Sequence, residues 1–152
     1  EVLDERVNFH HRSDGSIQGS ADSWTFERFP VFHTPETEPH GYQLTHPSGL
    51  TLIHCGDSGP CAEIEARAPL ADVVIIELGL PDYVDSDYHY KPTTLSKLAE
   101  DCPETTFLAT HLFTDSEGSG VATVPSLPSN VIEVSDGDGF VWSDGDLSRV
   151  SN

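Results

Sequence analysis

The sequence predicts an α/β fold with a mixed sheet, and three observations support that class. Short apolar runs typical of strands alternate with two segments of helix-forming composition. A turn cluster over 46–49 lies between two of these strands, which indicates an antiparallel hairpin. The β-branched run over 73–78 suits a strand buried on both faces, as in parallel sheets. We therefore expect both antiparallel and parallel strand pairs.

The first half of the chain is predicted to be rich in strands. These strands lie over 2–8, 24–32, 41–45 and 50–55. A long loop of Gly, Ser and Asp residues over 13–23 separates the first two strands, and the last two form the hairpin. Helix-forming composition then predicts a helix over 61–68, which Pro69 ends because proline cannot continue a helix.

The second half of the chain alternates strands with one longer helix. Its strands are predicted over 73–78, 106–110, 131–134 and 139–142. The helix begins at Pro92 and ends before Pro103. Irregular segments lie over 79–90, which is rich in Tyr, and over 115–120. We expect the last two strands to pair as a hairpin across an Asp-Gly turn.

The composition predicts one domain over 1–152 with a strongly acidic surface. Asp and Glu number 26 against seven Lys and Arg, which gives a formal net charge of -19. A surface of this kind repels nucleic-acid backbones and anionic membranes at ordinary ionic strength. We favour adaptation to high salt as its origin, since the Debye length falls to roughly 3 Å at 1 M. Nucleic-acid binding is then expected only at high salt.

The cysteine pattern and the apolar runs bear on cellular location. The three cysteines form no C-x-x-C pair and no even-numbered framework, so neither a structural zinc knuckle nor a disulfide scaffold is indicated. No apolar run has the length that spanning a bilayer requires. We therefore expect a cytoplasmic protein without a membrane partner, and a homo-oligomer remains open.

Ligand-type side chains follow three of the predicted strands. His33 follows the strand over 24–32, Asp57 follows the strand over 50–55, and His111 follows the strand over 106–110. Imidazole and carboxylate groups suit Zn²⁺ and similar divalent ions, and a carboxylate can bridge two of them. These strand ends predict a metal site if they meet at one edge of the sheet.

The sequence segments around these residues resemble motifs of the metallo-β-lactamase superfamily. Pro-Val-Phe-His-Thr-Pro over 30–35 and His-Cys-Gly-Asp-Ser-Gly-Pro over 54–60 are similar to its third and fourth motifs, and Ala-Thr-His-Leu over 109–112 is similar to its final ligand motif. The resemblance implies half of an αββα sandwich and a hydrolase with two divalent ions, normally zinc, with manganese as an alternative. By this resemblance Asp57 bridges the ions, with His33 on one and His111 on the other.

The segment Tyr-His-Tyr-Lys-Pro-Thr over 88–93 resembles the phosphodiesterase branch of that superfamily, which includes ribonuclease Z and the class II cyclic-nucleotide phosphodiesterases. The resemblance implies that His89 is a general acid, with Glu77 as its orienting partner. The substrate implied is a small-molecule or nucleotide phosphodiester. Histidine suits this role in its own right, because its pKa allows proton donation near neutrality.

The superfamily's H-x-H-x-D-H motif is absent from the sequence, and His10 and His11 do not have its spacing. The chain is then expected to lack the N-terminal half of the domain. Three explanations stay open: a piece of a longer enzyme, a chain completed by another polypeptide, or a non-catalytic relic that serves as an interaction domain. A hydrolase of esters, thioesters or lactams is a further alternative, since the other motifs are shared across the superfamily.

Overall fold

The structure is a computed structural model and describes residues 15–16, 24–115 and 120–150. The strand predicted over 2–8, together with His10 and His11, lies outside the described residues. Most of the predicted loop over 13–23 lies outside them as well.

Seven strands form one sheet in which each strand pairs with its neighbours in sequence. These strands are β1 (Gly15–Ser16), β2 (Thr25–Pro30), β3 (His40–Thr45), β4 (Thr51–His54), β5 (Val73–Glu77), β6 (Thr106–Thr110) and β7 (Val131–Glu133). A separate two-stranded sheet contains β8 (Gly139–Ser143) and β9 (Asp146–Val150). Helix α1 (Ala62–Arg67) connects β4 to β5, and helix α2 (Pro92–Asp101) connects β5 to β6.

The large sheet is mixed, as predicted. Strands β1 to β4 pair antiparallel, and β4 to β7 pair parallel. Parallel pairs need crossover connections, which α1 provides between β4 and β5 and α2 between β5 and β6. Because β3 runs opposite to both β2 and β4, the strands β2, β4, β5 and β6 all point the same way. Their carboxyl ends therefore meet at one edge of the sheet.

The hydrophobic core lies between the parallel strands and the two helices. Ile53, Val74 and Phe107 are completely buried and belong to this cluster. Ile64 of α1 and Leu95 of α2 are also completely buried within it. The core thus fixes the relative positions of β4, β5 and β6, whose ends carry the candidate functional residues.

The predicted pairing of the last two strands is wrong. Strand β7 pairs parallel with β6, with Phe107 opposite Val131, while β8 pairs with β9. The hairpin turn is the last Asp-Gly pair, Asp144 and Gly145, whose φ angles are 54° and 86°. A two-residue turn of the type that matches strand twist needs positive φ at both positions. The sequence contains four Asp-Gly pairs, and of the three that the structure describes in full only this one has positive φ at both residues.

Asn130 satisfies the C-terminal end of α2. Its Nδ2 group donates to the carbonyl oxygens of Ala99, Cys102 and Thr105 at 3.0, 3.1 and 3.0 Å. The last carbonyl groups of a helix have no partner within the helix, so a side-chain donor is needed there. Sequence reasoning assigned no role to Asn130.

Replacing this donor is expected to destabilise the fold. Asn130→Ala should reduce the free energy of unfolding by about 1–3 kcal/mol, because three partly buried carbonyl groups lose this donor and those of Ala99 and Cys102 keep one backbone hydrogen bond each. Urea denaturation of the variant measures this, with the exposed neighbour Ser129→Ala as the control. Equal losses in the two variants would contradict the capping role.

Within the described ranges, neither helix combines the length and the apolar composition that a membrane crossing requires.

Candidate active site

The candidate residues lie at the edge where the carboxyl ends of the codirectional strands meet. His33 follows β2, Asp57 follows β4, Glu77 is the last residue of β5, and His111 follows β6 directly. Open sheets with parallel strands bind ligands at this edge, because the connecting loops diverge there. The predicted convergence of His33, Asp57 and His111 at one rim therefore agrees with the topology.

His111 is held in an unusual backbone conformation. Its φ angle is 49°, in the left-handed region that side chains other than glycine rarely adopt. Hydrogen bonds on both sides fix this turn: Leu78 N–H donates to the Thr110 carbonyl, and Phe113 N–H donates to the Leu78 carbonyl, both at 2.9 Å. Strained conformations of this kind concentrate at functional sites.

His89 contacts the carboxylate of Glu77. The Nδ1 of His89 lies 2.6 Å from Oε1 of Glu77, and the Glu77 side chain is only 1% exposed against 21% for His89. With the Nδ1 hydrogen directed at the carboxylate, Nε2 is the nitrogen left to face a substrate. The structure thus places the predicted acid and its predicted orienting partner in contact.

The Glu77 carboxylate is buried but well supplied with donors. Ser58 N–H donates to Oε1 at 3.2 Å, and Gly79 N–H donates to Oε2. Burial raises the pKa of Glu77 to about 7, although these two backbone donors and His111 lower it in part. Glu77 is therefore an acid whose proton is available near neutrality.

Burial also lowers the pKa of His89 from its ordinary value, with a further lowering from His111 and an opposite effect from Asp57. Groups coupled at 2.6 Å titrate as a pair. A proton held by this pair can reside on the imidazole, because His89 Nδ1 and Glu77 Oε1 are in hydrogen-bond contact.

The other two imidazoles each have one nitrogen fixed by an oxygen. His111 Nδ1 lies 3.0 Å from Oδ1 of Asp57, and His33 Nδ1 lies 3.1 Å from the Tyr88 carbonyl oxygen. A histidine that binds a metal commonly donates its other ring N–H to a carboxylate or carbonyl oxygen, which leaves Nε2 as the ligand. Both residues have this arrangement, so the donor set fits a divalent ion.

The three imidazole rings are close neighbours. The ring centroids of His33 and His89 are 4.8 Å apart, and those of His89 and His111 are 5.9 Å apart. Both pairs meet edge to face. Asp57 and His111 are each about half exposed, at 49% and 51%, so the site is open to solvent.

Among the described residues, one set of three ligand-type side chains has all its ligand atoms within 4.8 Å of one another: Glu77, His89 and His111. Both oxygens of Glu77 already accept hydrogen bonds, which makes Glu77 a poor metal ligand and a good orienting group. The predicted metal set of His33, Asp57 and His111 is not gathered as tightly in the described part of the chain. Its assignment as the metal set stays a prediction.

The loop that carries His89 is held by residues to which sequence reasoning gave no role. Ser58 is completely buried, and its carbonyl accepts a hydrogen bond from Tyr90 N–H at 3.1 Å. At Gly59 an added Cβ would lie 1.7 Å from the Asp87 carbonyl oxygen, so only glycine allows this approach. Both residues belong to the Gly-Asp-Ser-Gly-Pro motif, whose second glycine was the available signal.

Comparison with known proteins gives one sequence relative at low coverage. No family model matches the chain. An uncharacterized protein of Mycobacterium leprae (strain TN) is 31% identical over 78 residues, which make up 50% of this chain and 28% of that protein. The chain thus spans a little over a quarter of this relative.

Solved structures of similar fold match a larger part of this chain than the sequence relative does. The metallo-β-lactamase fold protein YhfI from Bacillus subtilis has a TM-score of 0.55 at 18% identity, over 67% of this chain and 40% of that one. An isothiocyanate hydrolase from Delia radicum gut bacteria has a TM-score of 0.60 at 10% identity, over 86% of this chain and 58% of that one. A diphosphatase from the PhnP family has a TM-score of 0.58 at 16% identity, over 90% of this chain and 49% of that one.

These matches agree with the predicted fold class. The mixed sheet, the helices that cross between its parallel strands and the ligand-type residues at their carboxyl ends are all present. The chain spans about half the length of the solved structures that it resembles. Over the residues described, it has a metallo-β-lactamase-like α/β fold.

Proposed function

We propose that this chain belongs to a metal-dependent hydrolase of phosphodiester bonds. The observation that carries this proposal is the contact of His89 Nδ1 with the buried Glu77 carboxylate at 2.6 Å, with the rings of His33 and His111 beside it. A proton donor is thereby placed next to candidate metal ligands. Both are needed to hydrolyse an ester whose leaving alcohol is a weak acid.

His33, Asp57 and His111 would hold the metal, with zinc as the expected ion and manganese as the alternative. When bound, a divalent ion lowers the pKa of water to about 7 and stabilises charge on phosphoryl oxygens. The half-exposed Asp57 and His111 are accessible for this role. The Tyr88 carbonyl and the Asp57 carboxylate orient the two imidazoles so that their Nε2 atoms remain free.

His89 would donate a proton to the departing alkoxide. Its Nδ1 contacts Glu77, so the proton transferred is the one on Nε2. Glu77 stabilises the protonated imidazole electrostatically and fixes the orientation of the ring. Because Glu77 is buried and receives two backbone hydrogen bonds, it keeps its position through the transfer.

The Glu77–His89 pair favours phosphodiesters over esters, thioesters or lactams as substrates. A phosphodiester expels its basic alkoxide as the nucleophile attacks, so the rate depends on a positioned acid, whereas carboxyl compounds first form a tetrahedral intermediate. The fold alone does not distinguish these classes, since an isothiocyanate hydrolase and a diphosphatase both share it. The discrimination therefore rests on His89.

The described chain does not supply all the ligands of a two-metal site. The remaining ligands would come from another part of a longer protein or from a second polypeptide. The same gap keeps the alternative of a non-catalytic interaction domain open. Metal content distinguishes the two: in the full-length protein, stoichiometric zinc or manganese that is lost in His111→Ala would exclude the non-catalytic alternative.

Asp57→Ala is expected to abolish phosphodiesterase activity, because the variant loses both a ligand and the group that orients His111. The test uses the full-length protein, loaded with zinc or manganese, and follows hydrolysis of bis(p-nitrophenyl) phosphate. Asp136→Ala, an exposed acidic residue outside the site, is the matched control. If wild-type protein and Asp57→Ala hydrolyse the ester equally, the proposed function is wrong.

A further inference from the structure

A cleft of about 350 Å³ adjoins the candidate active site. It is lined by Phe32, Pro60, Cys61 and Asp87. Phe32 directly precedes His33, and Asp87 lies two residues before His89, so both walls of the cleft are close in sequence to residues of the site. The cleft is held together by the approach of two segments, since Gly59 N–H donates to the Phe32 carbonyl at 2.7 Å.

Tyr88 connects this cleft with the site. Its ring centroid lies 5.5 Å from that of Phe32 and 6.0 Å from that of His33. Phe32 and Tyr88 are each 42% exposed, so part of each ring remains accessible to a ligand. A ligand group stacked on Phe32 would therefore lie beside the imidazoles without displacing them.

Asp87 gives the cleft its polar character. The residue is exposed, and no other described residue forms a hydrogen bond or ion pair with its carboxylate. An ionised carboxylate offers two acceptor oxygens and no donor. The cleft thus combines an aromatic face with a carboxylate that can accept two parallel hydrogen bonds.

Among the nucleobases, guanine alone presents two adjacent donors, N1–H and the N2 amino group, on one edge. Adenine and cytosine place a ring-nitrogen acceptor beside their amino group, and uracil flanks its single N–H with carbonyl oxygens. An acceptor opposite a carboxylate oxygen is repelled rather than bound. Stacking on an aromatic side chain tolerates every base, so discrimination must come from the carboxylate.

We infer that this cleft binds a guanine base, which stacks on Phe32 and donates N1–H and N2–H to Asp87. Resting on the proposed function, this assigns the substrate class as guanosine-containing phosphodiesters, with the phosphate at the imidazoles and the base in the cleft. The net negative surface does not repel the base itself, because guanine is neutral and approaches Asp87 through its donors.

Binding of guanosine, which lacks a phosphate, tests the cleft without reference to catalysis. Saturation-transfer NMR titration of the full-length protein should show guanosine binding and at least about tenfold weaker binding of adenosine. Asp87→Asn should weaken guanosine binding roughly tenfold and reduce the preference over adenosine, whereas Phe32→Ala should weaken both nucleosides. The controls are Asp85→Asn and Tyr83→Ala, which are exposed residues of the same loop outside the cleft.

Each outcome addresses one of the two proposals. Equal binding of guanosine and adenosine, or guanosine binding unaffected by Asp87→Asn, would overturn the guanine assignment. Guanosine binding without hydrolysis of any phosphodiester would support the guanine assignment and overturn the proposed function. In an active enzyme, Asp87→Asn should lower the ratio of kcat/KM for cyclic GMP to kcat/KM for cyclic AMP roughly tenfold.

Discussion

His89→Ala is expected to lower kcat/KM for phosphodiesters with an alkyl-alcohol leaving group by roughly 10²- to 10⁴-fold. The same variant should change kcat/KM for p-nitrophenyl phosphodiesters by less than about tenfold, because p-nitrophenolate departs without a proton. The reason lies in the geometry: the Nδ1 contact with Glu77 leaves Nε2 as the proton donor beside the other imidazoles. Steady-state kinetics on a series of leaving groups measures the difference.

A matched control is His46→Ala. His46 lies in the turn before β4, at the opposite end of that strand from the site. Its loss should therefore leave kcat/KM unchanged for both classes of leaving group. A uniform loss over the leaving-group series in His89→Ala would indicate a structural or metal-binding role. The assignment of His89 as the acid would then be wrong.

The pH profile separates the orienting role of Glu77 from simple packing. Glu77→Gln removes the negative partner of the protonated imidazole, so the pKa of His89 should fall. Proton donation requires His89 protonated, and the alkaline limb of kcat/KM should accordingly shift to lower pH. A packing defect alone would lower the rate without moving that limb.

Gly59→Ala is expected to disrupt both stability and activity. The new methyl carbon would lie 1.7 Å from the Asp87 carbonyl oxygen and 2.8 Å from its carbon, which are backbone atoms that cannot rotate away. The segment over 87–89 must therefore shift by more than an ångström. A misplacement of about 1 Å can reduce a catalytic rate about 10²-fold, and overpacking costs about 1–3 kcal/mol of stability.

Gly139→Ala is the control for this variant. A Cβ at Gly139 meets nothing closer than 3.7 Å, and its φ is not in the left-handed region, so the change should be tolerated. Thermal unfolding, and hydrolysis kinetics of a phosphodiester with an alkyl-alcohol leaving group, are measured on both variants. Wild-type stability and activity in Gly59→Ala would mean that the loop carrying His89 is not seated on Gly59.

Much of the architecture could be predicted from local pattern. The β-branched run of β5, the prolines that bound the helices and the turn between β3 and β4 are signals carried by neighbouring residues. The mixed α/β class is confirmed by the structure and by the solved structures that share the fold. The strand ends with His33, Asp57 and His111 could be recognised because each follows an apolar run directly.

The pairing of the last strands could not be predicted in the same way. A short apolar run such as β7 fits a hairpin or a parallel edge equally well, and its partner is chosen by contacts remote in sequence. Here β7 adds to β6, with Leu108 opposite Ile132. The four Asp-Gly pairs of the sequence are identical as dipeptides, and only the backbone geometry at Asp144 and Gly145 identifies the hairpin turn.

The sequence by itself determined the fold class and the kinds of side chain that stand at the strand ends, because both follow from periodicity and from order along the chain. Only the tertiary structure decided that Glu77 contacts His89, that the Tyr88 carbonyl orients His33, and that Phe32 and Asp87 enclose a cleft. Those contacts join residues between 12 and 55 positions apart. They depend on how the loops pack over the sheet edge, and no local pattern encodes that packing.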